Sequence, residues 1–110
     1  MKDDRLYLNH ILECANRIQE YVKGGREVFL KDQQVQDAVL RNLQIMTESC
    51  QRLSPELKQK HPVVDWRGLS GFRNILVHEY LGVDLEIVWE LIDQKLKSLS
   101  SVVDNELKRR

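Results

Sequence analysis

Apolar residues recur at helical intervals along most of this chain. Leu8, Ile11, Leu12, Ala15, Ile18 and Val22 fall on one stripe about 120° wide when the chain is wound at 100° per residue. Asp3 or Asp4 can cap this first helix, and Gly24-Gly25 offer the positive-φ stop that ends it after roughly five to six turns. A short link follows. Its Val28, Phe29 and Leu30 are expected to pack on the end of the bundle before Asp32 caps a second helix. From Val35 that helix carries Val39, Leu43, Met46, Cys50 and Leu53, with Ala38 and Ile45 on its flank.

Ser54-Pro55-Glu56 places a cap ahead of a proline at the first helical position, so a short helical turn is expected before His61-Pro62 ends it. Asp65 then caps a third helix whose inner face holds Leu69, Phe72 and Leu76. After Gly82, Asp84 opens a long fourth helix with Val88, Leu91, Ile92, Leu96, Leu99, Val102 and Val103 on its stripe. Period-two alternation is scarce, no Asn-Gly or Asp-Gly hairpin signal occurs, and no internal repeat is present. The pattern predicts an all-α, antiparallel four-helix bundle with one extra helical turn between the second and third helices.

Size agrees with that expectation, since 110 residues suit one domain, 1–110, with one core. Seventeen basic residues balance seventeen acidic ones, and the balance holds in each half of the chain. Such neutrality disfavours a protein that coats nucleic acid through accumulated Lys and Arg, yet leaves room for a compact site that handles a few phosphates. Cys14 and Cys50 are too few for a disulfide framework or a structural zinc site, which points to a reducing cytoplasm. The first residues lack the apolar stretch of a signal peptide, and no run approaches the roughly 18 apolar residues that span a bilayer, so a cytoplasmic protein without membrane contact is expected.

The densest polar set near a helix end is Phe72-Arg73-Asn74-Ile75-Leu76-Val77-His78-Glu79-Tyr80. If the helix continues through it, Arg73 and Tyr80 share a face to within about 20°, and Asn74 and His78 form an i, i+4 pair. Arg73 and His78 then stand about 140° apart, so one rigid helix does not converge them, whereas a second copy packed across the same face would. These residue types suit RNA cleavage without a metal. A base must take the proton of the attacking ribose 2′-hydroxyl, and an acid must protonate the leaving 5′-oxygen. Histidine can do either, while a guanidinium holds the charge that gathers on the phosphate oxygens. Taken as a bare pair, the same two residues also suit a helix cap and a packing position.

The order Arg73, four residues, His78, one residue, Tyr80 resembles the signature of the HEPN superfamily, in its HepT-like branch. Phe29-Leu30-Lys31-Asp32, Gln36-Asp37-Ala38-Val39, Arg41-Asn42-Leu43, Arg52-Leu53-Ser54, Trp66, Val83-Asp84 and Val88-Trp89 match in order, over about residues 4 to 97. The resemblance implies a helical homodimer in which Arg73 and His78 of both protomers meet as a metal-independent endoribonuclease site, with Asn74 supporting their positions and no cofactor. It implies the toxin half of a toxin–antitoxin pair whose antitoxin is an MntA-like nucleotidyltransferase. That partner would neutralise the toxin by attaching AMP to the motif tyrosine, here Tyr80, setting a bulky anion beside the pair. This chain departs from the family at Thr47-Glu48-Ser49, where Gly-Glu-Ala is common.

Other polar and aromatic residues have plainer expectations. Asn42 lies on an apolar stripe and is expected to hydrogen-bond across the bundle, with a place in the cleft as the second option. Glu48, off that stripe, fits a solvated charge or an ion-pair partner ahead of a role near the site. Glu79 fits an exposed helix-end carboxylate, with tuning of His78 as the other option. Trp66 and Trp89 fit packing, with base stacking as the alternative. His10 and His61 lack metal-ligand spacing and are expected at the surface, and Lys108-Arg109-Arg110 reads as a solvated tail that could add a phosphate contact. Two rivals to the ribonuclease stand: a non-catalytic HEPN-like binding subunit of a nucleotidyltransferase, and a plain dimerisation bundle.

Overall fold

The computed structural model describes residues 3–110, and its regular elements are all helical. They are α1 (Asp4–Tyr21), α2 (Arg26–Lys31), α3 (Gln33–Arg52), α4 (Pro55–Lys60), α5 (Trp66–His78), a 3-10 turn (Tyr80–Gly82), α6 (Leu85–Gln94) and α7 (Leu96–Arg109). Among the described residues no helix is long and apolar enough to cross a membrane. The expected bundle is present, with α1, α3, α5 and the α6–α7 pair as its four arms. Leu8, Ile11, Ala15, Ile18, Val39, Leu43, Met46 and Val103 are fully buried where α1, α3 and α7 meet.

Caps define the arms as the sequence predicts. Asp32 accepts from the backbone N–H groups of Gln34 and Val35, Ser54 from Leu57, Asp65 from Gly68, and Asp84 from Glu86. At α1 the cap is Asp3, which accepts from the N–H of Arg5. Of Gly24-Gly25, only Gly25 has a positive φ, at 94°, and it sits at the start of α2 and not at the end of α1, which closes at Val22.

Two departures from the expected arms have tertiary causes. The link after α1 is itself helical, and its Phe29 is fully buried against Trp89 of α6, ring centroids 5.7 Å apart. The fourth arm is broken at Lys95, whose φ of −116° lies far from the helical value. Lys95 still donates to the carbonyl of Leu91 and accepts from Leu99, so the break is a bend between two helices. It lets α6 rest on α2 while α7 runs along α1.

That bend leaves the bundle open on one side. α5 packs on α3 but does not close against α6 and α7, and a largely apolar groove of about 790 Å³ lies between them. Met46, Leu69, Phe72, Ile75, Leu91 and Leu99 are among its lining residues.

Candidate active site

Helix α5 carries Arg73, Asn74 and His78, and local sequence fixes how it presents them. Asp65 Oδ1 accepts from the N–H of Gly68 at 2.9 Å, and a Cβ at position 68 would run into that same carboxylate, so glycine keeps the cap intact. Leu69, Phe72 and Leu76 bury one face of the helix. With that face fixed at 100° per residue, Ser70 and Arg73 turn toward α3, Gly71 and Ile75 line the groove on the other flank, and His78 points outward, away from the buried face.

Arg73 is largely withdrawn from solvent, its side chain 28% exposed. Its Nη2 donates to Glu48 Oε2 of α3 at 3.5 Å, and its Nη1 donates to Asn74 Oδ1 at 3.3 Å. Its Nε is buried and, among the described residues, has no hydrogen-bond partner. One turn back along α5, Gln51 Nε2 of α3 donates to Ser70 Oγ at 2.7 Å. Glu48 is thus an ion-pair partner, as the sequence suggests, and its charge goes to the candidate arginine. The signal for it is the polar stripe of α3, in which Glu48 and Gln51 at i and i+3 face Arg73 and Ser70 of α5, themselves three residues apart.

His78 is the last residue of α5 and is exposed. Glu79 is the exposed C-cap residue, its N–H donating to the carbonyl of Ile75 at 2.8 Å. The chain leaves helical geometry there, and Tyr80 opens the 3-10 turn, 36% exposed, next to Leu81 at 99%. The face-sharing of Arg73 and Tyr80 through a continuous helix therefore does not hold. The Asn74–His78 register and the wide angle between Arg73 and His78 do hold, because all three residues lie inside α5.

Several other residues take places of their own. Asn42 is buried, but its Nδ2 donates to the carbonyl of Ala38 in the same helix, not across the bundle. Thr47 is fully buried with its hydroxyl donating to the Leu43 and Gln44 carbonyls, so the threonine at this departure from the family packs with its hydroxyl satisfied. Trp66 caps packing with two hydrogen bonds, from Nε1 to the carbonyls of Lys58 and His61. His10 is half-buried, edge-on to Tyr7. His61 is not a free surface residue: its Nε2 lies 2.8 Å from Oε1 of Glu106, itself only 2% exposed. The terminal arginines are likewise engaged, Arg109 and Arg110 with Glu106, and Arg110 also with Asp4. Cys14 and Cys50 are free and buried, and burial pushes the Cys50 thiol up to about 12, which leaves it no nucleophilic thiolate near neutrality.

Chemically, the end of α5 offers an exposed imidazole able to move protons and a held guanidinium able to bind phosphate oxygens. The Ribonuclease HepT-like family matches residues 11–106. A Methanocaldococcus jannaschii protein named as a gamma-glutamylcyclotransferase and putative RNase is 36% identical over 103 residues, which cover 93% of this chain and 46% of that protein. The chain thus spans just under half of that relative. A putative RNase of Caldanaerobacter subterraneus subsp. tengcongensis is 38% identical over 110 residues, covering 99% of this chain and 98% of the relative. An mRNA nuclease named HepT in Shewanella oneidensis is 26% identical over 118 residues, covering 86% of this chain and 88% of the relative. No solved structure matches. With the family matched across nearly the whole bundle, α5 and its Arg73–His78 span included, this chain belongs to the HepT-like ribonuclease family.

Proposed function

We propose that this protein is a metal-independent endoribonuclease and the toxin of a toxin–antitoxin pair. The observation that carries the reading is the exposed His78 at the end of α5, five residues from the held guanidinium of Arg73, inside the family match. The relatives named as RNases and as an mRNA nuclease support RNA as the substrate class. His78 moves the proton of the 2′-hydroxyl or of the leaving 5′-oxygen, and Arg73 binds the non-bridging oxygens as charge builds on them. Asn74 supports Arg73 through its Oδ1. Because Arg73 faces α3 and His78 faces outward, the proposed site is completed by a second copy packed across α5, giving a homodimer.

The proposed antitoxin is an MntA-like nucleotidyltransferase that attaches AMP to Tyr80. The exposed start of the 3-10 turn supports this, since the phenol stands outside the helix and open to a partner. Co-expression with such a partner adds the mass of AMP to the wild type and not to Tyr80→Phe.

The decisive experiment incubates the purified protein with single-stranded RNA in chelator. Cleavage leaving a 2′,3′-cyclic phosphate is expected, with His78→Ala slower by about 10²–10⁴-fold. Binding without cleavage would instead favour a non-catalytic subunit of the nucleotidyltransferase.

A further inference from the structure

Arg73 is held in an arrangement that stability alone does not explain. An ion pair at 3.5 Å with side chains 28% and 36% exposed contributes little to folding. The same side chain keeps a buried Nε–H with no partner among the described residues, and buried unpaired donors are rare because they are costly. A free surface arginine would avoid both constraints by swinging into water. What the arrangement achieves is a fixed plane: Glu48 takes one N–H of Nη2, Asn74 takes one N–H of Nη1, and packing encloses Nε. Each Nη keeps a second N–H, so the held guanidinium still has two donors for phosphate oxygens.

We propose that Glu48 is a positioning residue for Arg73, setting the plane of its guanidinium and partly neutralising it before RNA arrives. This rests on the ribonuclease reading above. Partial neutralisation weakens the grip on ground-state phosphate, which carries one negative charge. The pentacoordinate transition state carries more, so the held guanidinium favours it over the substrate. Glu48 touches neither the reacting phosphate nor the moving protons.

The test compares Glu48→Ala and Glu48→Gln with wild type and Arg73→Ala on a fluorophore-labelled single-stranded RNA, with kcat and KM measured separately. Glu48→Ala frees the guanidinium, so kcat falls about ten-fold or more while KM stays level or drops. Glu48→Gln keeps an acceptor for Nη2 and restores most of kcat, but its KM drops because the charge is gone. A residue that merely supports the fold would move neither ratio in this way, and thermal melting of all variants reports any loss of folding. Wild-type kcat and KM in Glu48→Ala overturn the proposal, provided Arg73→Ala is inactive. If the wild type itself does not cut RNA, the ribonuclease reading falls, and nitrogen-15 NMR of the Arg73 Nε–H still decides the positioning claim. That signal is expected to exchange slowly with water in wild type and Glu48→Gln, and to exchange fast in Glu48→Ala. An unchanged signal in Glu48→Ala overturns it.

Discussion

Asp3 and Asp4 are interchangeable as helix caps on paper, and the fold gives them different work. Asp3 caps α1, whereas Asp4 is buried, with Oδ1 accepting the backbone N–H of Ser54 at 2.8 Å and Oδ2 its hydroxyl at 2.6 Å. Ser54 in turn caps α4 through Leu57, so Asp4 fastens the end of α3 to the start of α1. Replacing it leaves the Ser54 N–H without its acceptor in a part-buried place. Asp4→Ala should therefore cost about 1–3 kcal/mol in urea denaturation, while Asp3→Ala costs about 1 kcal/mol or less. Equal losses for the two would contradict this division. The same contrast explains what was legible at the candidate site. Arg73, Asn74, His78 and Tyr80 stand out because they crowd one short segment. Glu48 reaches Arg73 across 25 residues of sequence, so its only signal is the polar stripe of α3, and His61 reaches Glu106 across 45 with no such stripe to mark it.

Whole helices follow from period and caps when they are long enough to repeat. The apolar stripes of α1 and α3 and the caps at Asp32, Ser54, Asp65 and Asp84 mark where the arms run. Helix α2 escapes that logic because six residues hold under two turns, and Gly25 ahead of it offers no side-chain cap. The bend at Lys95 escapes it because no Gly or Pro stands there and the apolar stripe continues through. Tertiary packing sets both features, through the contact of Phe29 with Trp89 that draws α6 onto α2. Phe29→Ala should cost about 3–5 kcal/mol in chemical denaturation, as for other fully buried aromatics, even though its helix is the shortest kind in the fold. A loss below about 1 kcal/mol would show α2 to be a loosely attached flap.

At the scale of the molecule, zero net charge hides an ordered distribution of pairs. Arg26 of α2 joins Glu86 of α6 at 2.7 Å near one end of the bundle. At the other, Arg5 Nη2 donates to the carbonyl of Arg110 at 2.8 Å, and Glu106 gathers His61, Arg109 and Arg110. These contacts tie the start of α1, the α4–α5 connection and the end of α7 together, which closes the bundle where its helices would otherwise fray. The hydrogen bond from His61 holds the Glu106 carboxyl below its ordinary value, with Arg109 helping and burial opposing. The unfolded chain, with an ordinary glutamate near pKa ~4.3, then takes up its proton at higher pH than the folded one. Stability from this group is complete above that value and is lost as pH falls through the lower, folded value. Below about pH 5 the wild type should lose stability more steeply than Glu106→Gln, whose amide cannot titrate, with the two curves running parallel above about pH 6. Urea midpoints for both proteins between pH 3 and 7 decide it, using the range roughly spanning the carboxylate titration. Parallel curves throughout would mean that Glu106 carries its charge no more readily in the folded protein than in the unfolded chain, and that the closure of this end rests on packing and on the contacts of Arg110 with Arg5 and Asp4.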